Sequence, residues 1–255
     1  MRLFVVSDVH SYYDAMMSAL TDKGFDINNK DHWLVICGDL FDRGSQTREC
    51  FEFAKSMAEQ DRLLYICGNH EELLFHCINE VTDKKVVSTH HITNGTLTTV
   101  ADFTGMNIYD LAFGTFDRNE FIDKIMPLVD FVSDETMDFA EIGEYIFVHG
   151  WIPCDKEWKV IPKWDADGAA WVEARWINGM DAWSRGARLD GKTIVCGHWH
   201  ASWGHHHLHI ERKEFPKKKE EGWQKSFEPF VDDGIIAIDA CTAWSGFVNC
   251  LVLEA

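Results

Sequence analysis

Side chains able to bind metals or move protons follow short apolar runs at several points of this sequence. The run Leu34–Cys37 leads into Gly-Asp-Leu-Phe-Asp-Arg-Gly, which contains two carboxylates and a guanidinium, those of Asp39, Asp42 and Arg43. The two oxygens of a carboxylate such as Asp39 can bridge two cations, and the planar fork of Arg43 suits a phosphate group. A capped turn with a surface ion pair would explain this stretch alone, but the rest of the chain repeats the pattern.

Four further apolar runs end in turns that carry potential metal ligands. They place Asp8 and His10 after Leu3–Val6, Asn69 after Leu63–Cys67, His149 after Tyr145–Val148, and His198 with His200 after Thr193–Cys196. Asp8 and His10 are two residues apart, so in an extended backbone they point to the same side, as a metal half-site requires. If these polar residues were unrelated, a potential metal ligand would follow an apolar run by chance five times. We therefore interpret these turns as one convergent site with two adjacent cation positions that share Asp39.

The chemistry of the predicted ligands limits which cations the site can hold. Carboxylate, amide and imidazole groups without a thiolate suit Mn²⁺, iron, Zn²⁺ or Co²⁺, and the set alone does not choose among them. Two such ions about 3.5–4 Å apart generate a hydroxide and clamp both oxygens of an in-line phosphoryl displacement. The sequence therefore predicts two divalent metal ions as cofactors of phosphoryl chemistry.

The elements that must position these ligands alternate regularly along the first 80 residues. The apolar runs are short and rich in β-branched residues, which indicates buried strands, whereas Tyr12–Lys23 and Thr47–Gln60 have helical spacing. Strand, ligand-bearing turn and helix therefore recur three times, an order typical of a layered α/β domain. Open α/β sheets bind ligands beyond the carboxyl ends of their strands, where these turns lie.

Two segments interrupt the alternation in what we expect to be a single domain over residues 1–255. We expect residues 88–144 to form a mostly helical cap over the site, and residues 201–233 to form a loop insertion. His205–His209 could bind a metal, but a polar hairpin arm is preferred because the other ligands already complete a set. Gly234–Ala240 and Gly246–Glu254 are predicted as two closing antiparallel strands.

Composition limits the partners and the compartment. The 255-residue chain has 46% hydrophobic residues, and its 24 basic against 42 acidic residues give a net charge of −18. Such an acidic chain is a poor partner for a nucleic-acid polymer. It contains no run of about 18 apolar residues for a membrane span, and Met1–Val6 lacks signal-peptide features. Three of the eight cysteines end strand-like runs, which favours free thiols and a cytoplasmic location.

The motifs taken together resemble a known family. Asp8-Val9-His10, Gly38–Gly44, Gly68–Glu71, His149-Gly150 and Gly197-His198 are similar as a set to the calcineurin-like metallophosphoesterases. Within that family, the Asp-Arg-Gly and Asn-His-Glu elements resemble the phosphoprotein phosphatase (PPP) branch. Gly197–Trp199 and Gly234–Asp239 also resemble the symmetrical bis(5'-nucleosyl)-tetraphosphatases. The resemblance implies a four-layer α/β/β/α sandwich with a dimetal site at the strand ends.

The resemblance also assigns roles to individual residues. It implies one metal held by Asp8, His10 and Asp39, and another held by Asp39, Asn69, His149 and His198. It further implies that His70 is the general acid, Asp42 its orienting carboxylate and Arg43 the first phosphate clamp. A histidine at the position of His200 binds the first metal in the broader superfamily, whereas PPP enzymes commonly lack it, so both alternatives stay open.

No fixed sequence motif identifies the second arginine that would bind the phosphate, or the residues that would line the substrate pocket. Arg175 is our choice for the arginine because tryptophans flank it, with Arg185, Arg188 and a surface role as alternatives. Trp151 and Trp199 each lie within two residues of a ligand histidine, so we expect at least one to line the substrate pocket.

The resemblance leads to an expected activity with open alternatives. We expect a phosphoesterase that hydrolyses phosphomonoesters, as serine/threonine protein phosphatases do, by in-line attack of a hydroxide that bridges the metals. The substrate would be a phosphoprotein or a small phosphate ester. Symmetrical hydrolysis of dinucleoside tetraphosphates is the alternative, and a non-catalytic scaffold of the same fold is the third. The chain retains Asp42, Arg43 and His70 with every predicted ligand, which a scaffold would be free to lose.

Overall fold

A computed structural model describes residues 1–83, 85–161, 168–208 and 221–254 of the chain. Its strands are β1 (Arg2–Val6), β2 (His32–Cys37), β3 (Leu63–Ile66), β4 (Thr136–Met137), β5 (Ala140–Ile142), β6 (Tyr145–Phe147), β7 (Thr193–Cys196), β8 (Phe230–Asp232), β9 (Ile235–Ala237) and β10 (Leu251–Glu254). Its α-helices are α1 (Tyr13–Asp22), α2 (Thr47–Ala58), α3 (Asn69–Thr82), α4 (Thr89–Thr93), α5 (Thr96–Thr104), α6 (Ile108–Phe113), α7 (Arg118–Glu135), α8 (Gly168–Ala174), α9 (Gly179–Ser184), α10 (Ser202–His207) and α11 (Thr242–Ser245). The predicted strands and the first three helices are therefore confirmed.

The strands form two five-stranded sheets, in the orders β10-β1-β2-β3-β4 and β5-β6-β7-β9-β8. In the first sheet β1 to β4 are parallel and β10 is antiparallel to β1. In the second sheet β6, β7 and β9 are parallel, with β5 and β8 antiparallel at the edges. The carboxyl ends of parallel strands meet at one edge of a sheet, so the ligand-bearing turns of each sheet are brought together.

Three apolar cores separate four layers. Along β1, Phe4 and Val6 pack against the helices that cover the first sheet, whereas Leu3 and Val5 pack between the two sheets. This alternation follows from the two-residue period of a strand buried on both faces. A separate core around Trp171 lies between the second sheet and its own helices. The four-layer α/β/β/α architecture is thereby confirmed.

The predicted cap is helical but ends earlier than predicted. Helices α5 and α7 pack on α2 and α3, α4 and α6 pack on α5, and together they extend the first core. The predicted end at residue 144 needs correction, because β4 pairs with β3 and β5 pairs with β6. Residues 136–142 therefore join the two sheets instead of covering the site.

The predicted loop at residues 201–233 also needs correction. It contains α10, a 3₁₀ helix over Trp223–Phe227, and β8, while residues 209–220 lie outside the described part. His205 is buried in α10 and donates from Nε2 to Glu228 O at 3.0 Å, so the polar hairpin arm predicted for His205–His209 is wrong for residues 205–207. His209 and most of the charged run Glu211–Glu221 fall outside the described residues.

The last two strands belong to different sheets. β9 pairs with β7 and β8 inside the second sheet, whereas β10 pairs with β1 at the edge of the first. A strand is confirmed within each of the two predicted segments, but both strands are shorter than predicted and they do not pair with each other. All eight cysteines are free thiols. Within the described ranges, no helix is long and apolar enough to cross a membrane.

Candidate active site

The backbone of the ligand-bearing turns is held in an uncommon conformation. Six non-glycine residues predicted to form the site have positive φ, namely Asp8, His10, Asp39, Asp42, Arg43 and His198. Each such conformation costs on the order of 1–3 kcal/mol and persists only where the surroundings enforce it. Gly38 ends β2 with φ of 80°, and a Cβ there would lie 2.4 Å from His149 Nδ1. A side chain at this position would therefore push apart turns from the two sheets.

Asp39 lies between two groups of potential metal ligands. One group contains His10, Asp39 and His70, the other Asp39, His149 and His198, and the ligand atoms within each group lie within 4.8 Å of one another. Asp39 Oδ1 is 3.3 Å from His149 Nε2, and Asp39 Oδ2 is 3.9 Å from His10 Nε2. The two oxygens of one carboxylate thus face two different imidazoles, as a bridging ligand requires.

The imidazoles of the site are oriented by backbone carbonyls. His10 Nδ1 donates to Phe41 O at 3.0 Å, and His149 Nδ1 donates to Cys37 O at 2.8 Å. Each ring therefore turns its Nε2 toward Asp39, an arrangement that raises the basicity of a metal-binding histidine. Burial holds the pKa of His10 well below its usual value and lowers the pKa of His198 to about 3, so both rings are neutral.

An amide oxygen and buried carboxylates complete the donor set. Asn69 Oδ1 lies 2.9 Å from His149 Nε2, so oxygen and nitrogen lone pairs converge on one point. Asp8 is buried outside both groups and accepts the His198 backbone N–H at 2.9 Å. Asp239 is also buried, and burial, followed by the charge of Asp8, raises its pKa. Converging lone pairs and clustered carboxylates suit divalent cations.

A histidine–carboxylate pair lies beside Asp39. His70 Nδ1 donates to Asp42 Oδ2 at 2.6 Å, and Arg43 Nη2 is 3.2 Å from His70 Nε2. Burial alone would lower the pKa of His70, but the charges of Asp39 and Asp42 outweigh it and raise the pKa to about 9. Because a guanidinium only donates, the Arg43 contact requires an unprotonated Nε2, and His70 could release a proton from Nε2 only once this contact is replaced.

Two residues of the cap that were not predicted hold the Asp42 carboxylate. Thr96 Oγ1 donates to Oδ2 at 2.8 Å, and Thr99 Oγ1 donates to Oδ1 at 2.8 Å. Their three-residue spacing puts both hydroxyls on one face of α5, which is the only signal the sequence contains. That spacing does not reveal which group the face contacts.

Glu71, the last residue of the Gly-Asn-His-Glu element, organises the two turns. Its carboxylate accepts the backbone N–H groups of Asp39 at 2.9 Å, Leu40 at 3.0 Å and Gly68 at 2.8 Å, and the Tyr65 hydroxyl at 2.7 Å. Glu71 is fully buried, so these donors take the place of water. The Asp39 turn and the start of α3 are therefore fixed to one carboxylate.

Replacing Glu71 with glutamine should destabilise the protein strongly. The amide NH₂ would face backbone donors that now point at an anionic oxygen, leaving buried N–H groups unpaired. We expect the free energy of unfolding to fall by about 3 kcal/mol, measured by urea denaturation. Glu52→Gln, at an exposed position of α2, should change it by less than about 0.5 kcal/mol. A loss below about 1 kcal/mol for Glu71→Gln would contradict the organising role.

The three candidate arginines occupy different places. Arg175 Nη2 is 2.5 Å from Asp138 Oδ1, and its Nη1 is 3.8 Å from Glu72 Oε2 in the first turn of α3. Arg185 pairs with Asp181 and lies over Trp158, while Arg188 lies over the Trp183 ring. Arg175 is therefore the one beside the helix that carries Asn69 and His70, with its charge already engaged by two carboxylates.

The tryptophans beside the ligand histidines differ in accessibility. Trp151 is 1% exposed, and its indole N–H donates to Ala187 O at 3.0 Å inside the second core. The expectation that Trp151 contacts substrate therefore needs correction. Trp199 is 38% exposed, with its ring centroid 6.5 Å from that of His198. Trp176, which was not predicted to line the pocket, is 45% exposed and lies 6.0 Å from the same ring.

His200 lies outside both ligand groups found in the described part of the chain. Its Nδ1 is 2.6 Å from Ser202 Oγ at the start of α10. Burial lowers the pKa of His200, so the ring is neutral and could still act as a ligand. This position therefore stays a prediction.

A carboxylate shared by two groups of potential metal ligands, next to a histidine–carboxylate pair, is an arrangement that suits a binuclear metallohydrolase. The calcineurin-like phosphoesterase model matches residues 1–220 of the sequence. The chain belongs to the calcineurin-like phosphoesterase family, a family of hydrolases that use a dimetal centre. The predicted family is confirmed.

Curated relatives match shorter segments. An asymmetrical bis(5'-nucleosyl)-tetraphosphatase of Bacillus velezensis is 25% identical over 157 residues, which cover 59% of this chain and 57% of the relative. A symmetrical bis(5'-nucleosyl)-tetraphosphatase of Klebsiella pneumoniae is 34% identical over 71 residues, covering 28% of this chain and 24% of the relative. The matched segment thus spans little more than half of the first relative and about a quarter of the second.

Solved structures show the same fold. A cold-active protein-tyrosine phosphatase of a psychrophilic Shewanella has a TM-score of 0.52 at 17% identity, with 99% of this chain and 75% of that chain covered. A protein serine/threonine phosphatase of Saccharomyces cerevisiae has a TM-score of 0.50 at 14% identity, with 100% and 80% covered. At these identities the likeness is one of fold.

Proposed function

We propose that this chain is a dimetal-dependent phosphoesterase that hydrolyses phosphomonoesters. The observation that carries the proposal is Asp39, whose two oxygens face His149 and His10 while the His70–Asp42 pair lies beside it. Family membership supports the reaction class. A phosphoprotein or a small phosphate ester is the proposed substrate.

The donor set supports binding of two divalent cations. Asp8, His10 and Asp39 would hold one, and Asp39, Asn69, His149 and His198 would hold the other. Bound there, the ions would activate water and neutralise charge on the phosphate oxygens. The carbonyls that hold His10 and His149 keep both Nε2 atoms turned toward Asp39, so the protein orients its ligands in advance.

The remaining side chains would serve the ester that is cleaved. As water attacks phosphorus and the ester P–O bond breaks, the leaving oxygen gains negative charge and needs a proton. Once Arg43 has turned from Nε2 to the phosphate, a protonated His70, held at Nδ1 by Asp42, would donate that proton from Nε2. The exposed Arg43, 3.2 Å from that nitrogen, would bind phosphate oxygens beside the acid.

The substrate is tested by a direct comparison with matched metals. The protein is reconstituted with Mn²⁺, and kcat/KM is measured for a panel of phosphopeptides, an aryl phosphate and diadenosine tetraphosphate. The proposal expects a phosphomonoester to give the highest value. A dinucleotide value more than about tenfold above every phosphomonoester, or about 1.4 kcal/mol in transition-state free energy, would contradict the proposed substrate.

Dinucleoside polyphosphates are the second candidate substrate, and two observations favour them. The curated relatives described above are bis(5'-nucleosyl)-tetraphosphatases. The exposed rings of Trp176 and Trp199 both lie beside His198, which belongs to a different group of potential ligands from His70. A phosphomonoester has one organic group, which leaves toward the acid. A nucleotide anhydride keeps a second group on the attacked phosphorus, and an aromatic base there could stack on these rings.

Removing either exposed tryptophan separates the two candidates. If dinucleotides are substrates, Trp176→Ala or Trp199→Ala should lower kcat/KM for diadenosine tetraphosphate by about tenfold, because base stacking contributes about 1–3 kcal/mol. The aryl phosphate value should change less than about twofold in both variants, which do not remove a ligand or the acid. Tyr109→Ala, which removes an exposed ring of the cap, is the control. An unchanged dinucleotide value would remove the support for this candidate.

A further inference from the structure

The Asp42 carboxylate is fully buried, and its hydrogen-bond donors among the described residues lie on α3 and α5. Oδ2 accepts from His70 Nδ1 at 2.6 Å and from Thr96 Oγ1 at 2.8 Å, while Oδ1 accepts from Thr99 Oγ1 at 2.8 Å. One donor comes from the proposed acid and two come from α5 of the cap. The direction in which Asp42 presents Oδ2 to the imidazole therefore depends on the two threonines.

Thr99 contacts Asp42 at two points. Its hydroxyl donates to Oδ1 and also accepts the Asp42 backbone N–H at 3.0 Å. Asp42 has φ of 76°, a conformation that a non-glycine residue adopts only when its surroundings enforce it. The Thr99 hydroxyl thus fixes both the backbone and the carboxylate of the same residue.

Helix α5 is itself anchored, so it can impose this geometry. Leu97, Val100 and Phe103 are buried in the first core. At the other end of the helix, Asp102 Oδ2 accepts the Thr47 backbone N–H at 3.0 Å and joins α5 to α2. Before the helix, Gly95 packs so closely on Arg43 that a Cβ would lie 2.5 Å from Arg43 N. The same helical turn therefore backs both Asp42 and Arg43.

We propose that Thr96 and Thr99 are positioning residues for proton transfer to the leaving group. They fix the Asp42 carboxylate, which fixes the ring plane of His70 and the direction of its Nε2. Without them the buried carboxylate would keep one donor of three and could rotate together with the imidazole. This inference rests on the proposed function, and it gives α5 of the cap a part in the chemistry.

The test compares Thr99→Val with the wild type on two esters that differ in leaving group. Valine keeps the shape of threonine but removes both contacts to Asp42. With an alkyl phosphate, which needs a proton on its leaving oxygen, kcat should fall by about 10- to 100-fold, part of the usual gain from general acid catalysis. With an activated aryl phosphate, which needs little protonation, kcat should stay within about threefold. Thr99→Ser, which keeps the hydroxyl, should restore alkyl phosphate hydrolysis.

Introducing Thr99→Val into the His70→Asn variant gives a second test, because the change in kcat there distinguishes positioning of His70 from a purely structural role. If the threonines act through the imidazole, Thr99→Val in that background should lower kcat no further, because coupled residues are non-additive. Thr98→Val is the matched control, since Thr98 lies between the two threonines on α5 but is exposed. Thr98→Val should leave kcat for both esters and the metal content unchanged.

The outcomes separate this inference from the function on which it rests. A metal-loaded wild type inactive on both esters would overturn the proposed function and, with it, the inference. With an active wild type, three results would each overturn the positioning role alone. They are an equal loss on both esters, no loss on the alkyl ester, and the full loss repeated in the His70→Asn background. Thermal unfolding of each variant, measured alongside, shows whether a loss on both esters comes from a folding defect.

Discussion

Replacing Asp39 with asparagine should abolish turnover and remove at least one metal ion. Asp39 presents Oδ1 to His149 Nε2 at 3.3 Å and Oδ2 to His10 Nε2 at 3.9 Å, so it is the group common to both ligand sets. An amide carries no charge and offers one acceptor oxygen, so two neighbouring cations would repel each other without compensation. Metal analysis of the purified variant, with phosphate release measured at saturating Mn²⁺, checks the prediction.

The control for Asp39→Asn is the same exchange at an exposed carboxylate. Asp134 lies on the solvent side of α7, and Asp134→Asn should keep full activity and both ions. Unfolding of Asp39→Asn should also be followed, because Asp39 Oδ1 accepts the His70 backbone N–H at 3.0 Å. Two ions bound at full occupancy in a folded Asp39→Asn protein would contradict the assignment of Asp39 as the ligand that bridges two cations.

Replacing His70 with asparagine should keep both metal ions but lower kcat by roughly 10²- to 10⁴-fold, the usual span for general acid catalysis. The ring is held by Asp42 at Nδ1, and its Nε2 is 3.2 Å from Nη2 of Arg43, the proposed phosphate-binding group, so Nε2 lies beside the proposed phosphate position. The loss should be largest for alkyl phosphates and should shrink for aryl phosphates, whose leaving groups need little protonation. Steady-state kinetics over a series of leaving groups measures this dependence.

The same series tests a competing assignment of His70. Its Nε2 is 3.9 Å from Asp39 Oδ2, and it falls within the same group of potential ligands as His10. If His70 were a ligand, His70→Asn would lose an ion and would slow all esters equally. His76→Asn, at an exposed position of the same helix, should alter neither the metal content nor the rates.

The ligand turns could be predicted because their signal is local in the sequence. Each of Asp8, Asp39, Asn69, His149 and His198 follows an apolar strand, and parallel strands bring their carboxyl ends together at one edge. The order of strand, turn and helix therefore predicts convergence within each sheet. The meeting of Asp39 with His149 and His198 of the other sheet depends on how the two sheets pack, which strand order does not indicate.

The parts that were missed depend on contacts between distant segments. Thr96 and Thr99 reach Asp42 across more than 50 residues, and nothing in their own helix indicates that contact. Trp151 follows a strand as Trp199 does, yet it is buried under Ala187 from a loop that joins α9 to β7. The short strands β4 and β5 were assigned to the cap because segments of two or three residues carry too little periodicity to indicate a strand.

The most direct test of the central claim is the number of metal ions that activity requires. Metal-free protein prepared by chelation is titrated with Mn²⁺, while bound metal per chain and aryl phosphate hydrolysis are measured on the same samples. A site in which Asp39 bridges two cations predicts binding of two ions per chain, with hydrolysis appearing as the second one binds. Full activity with one ion bound per chain, or with none, would contradict the account.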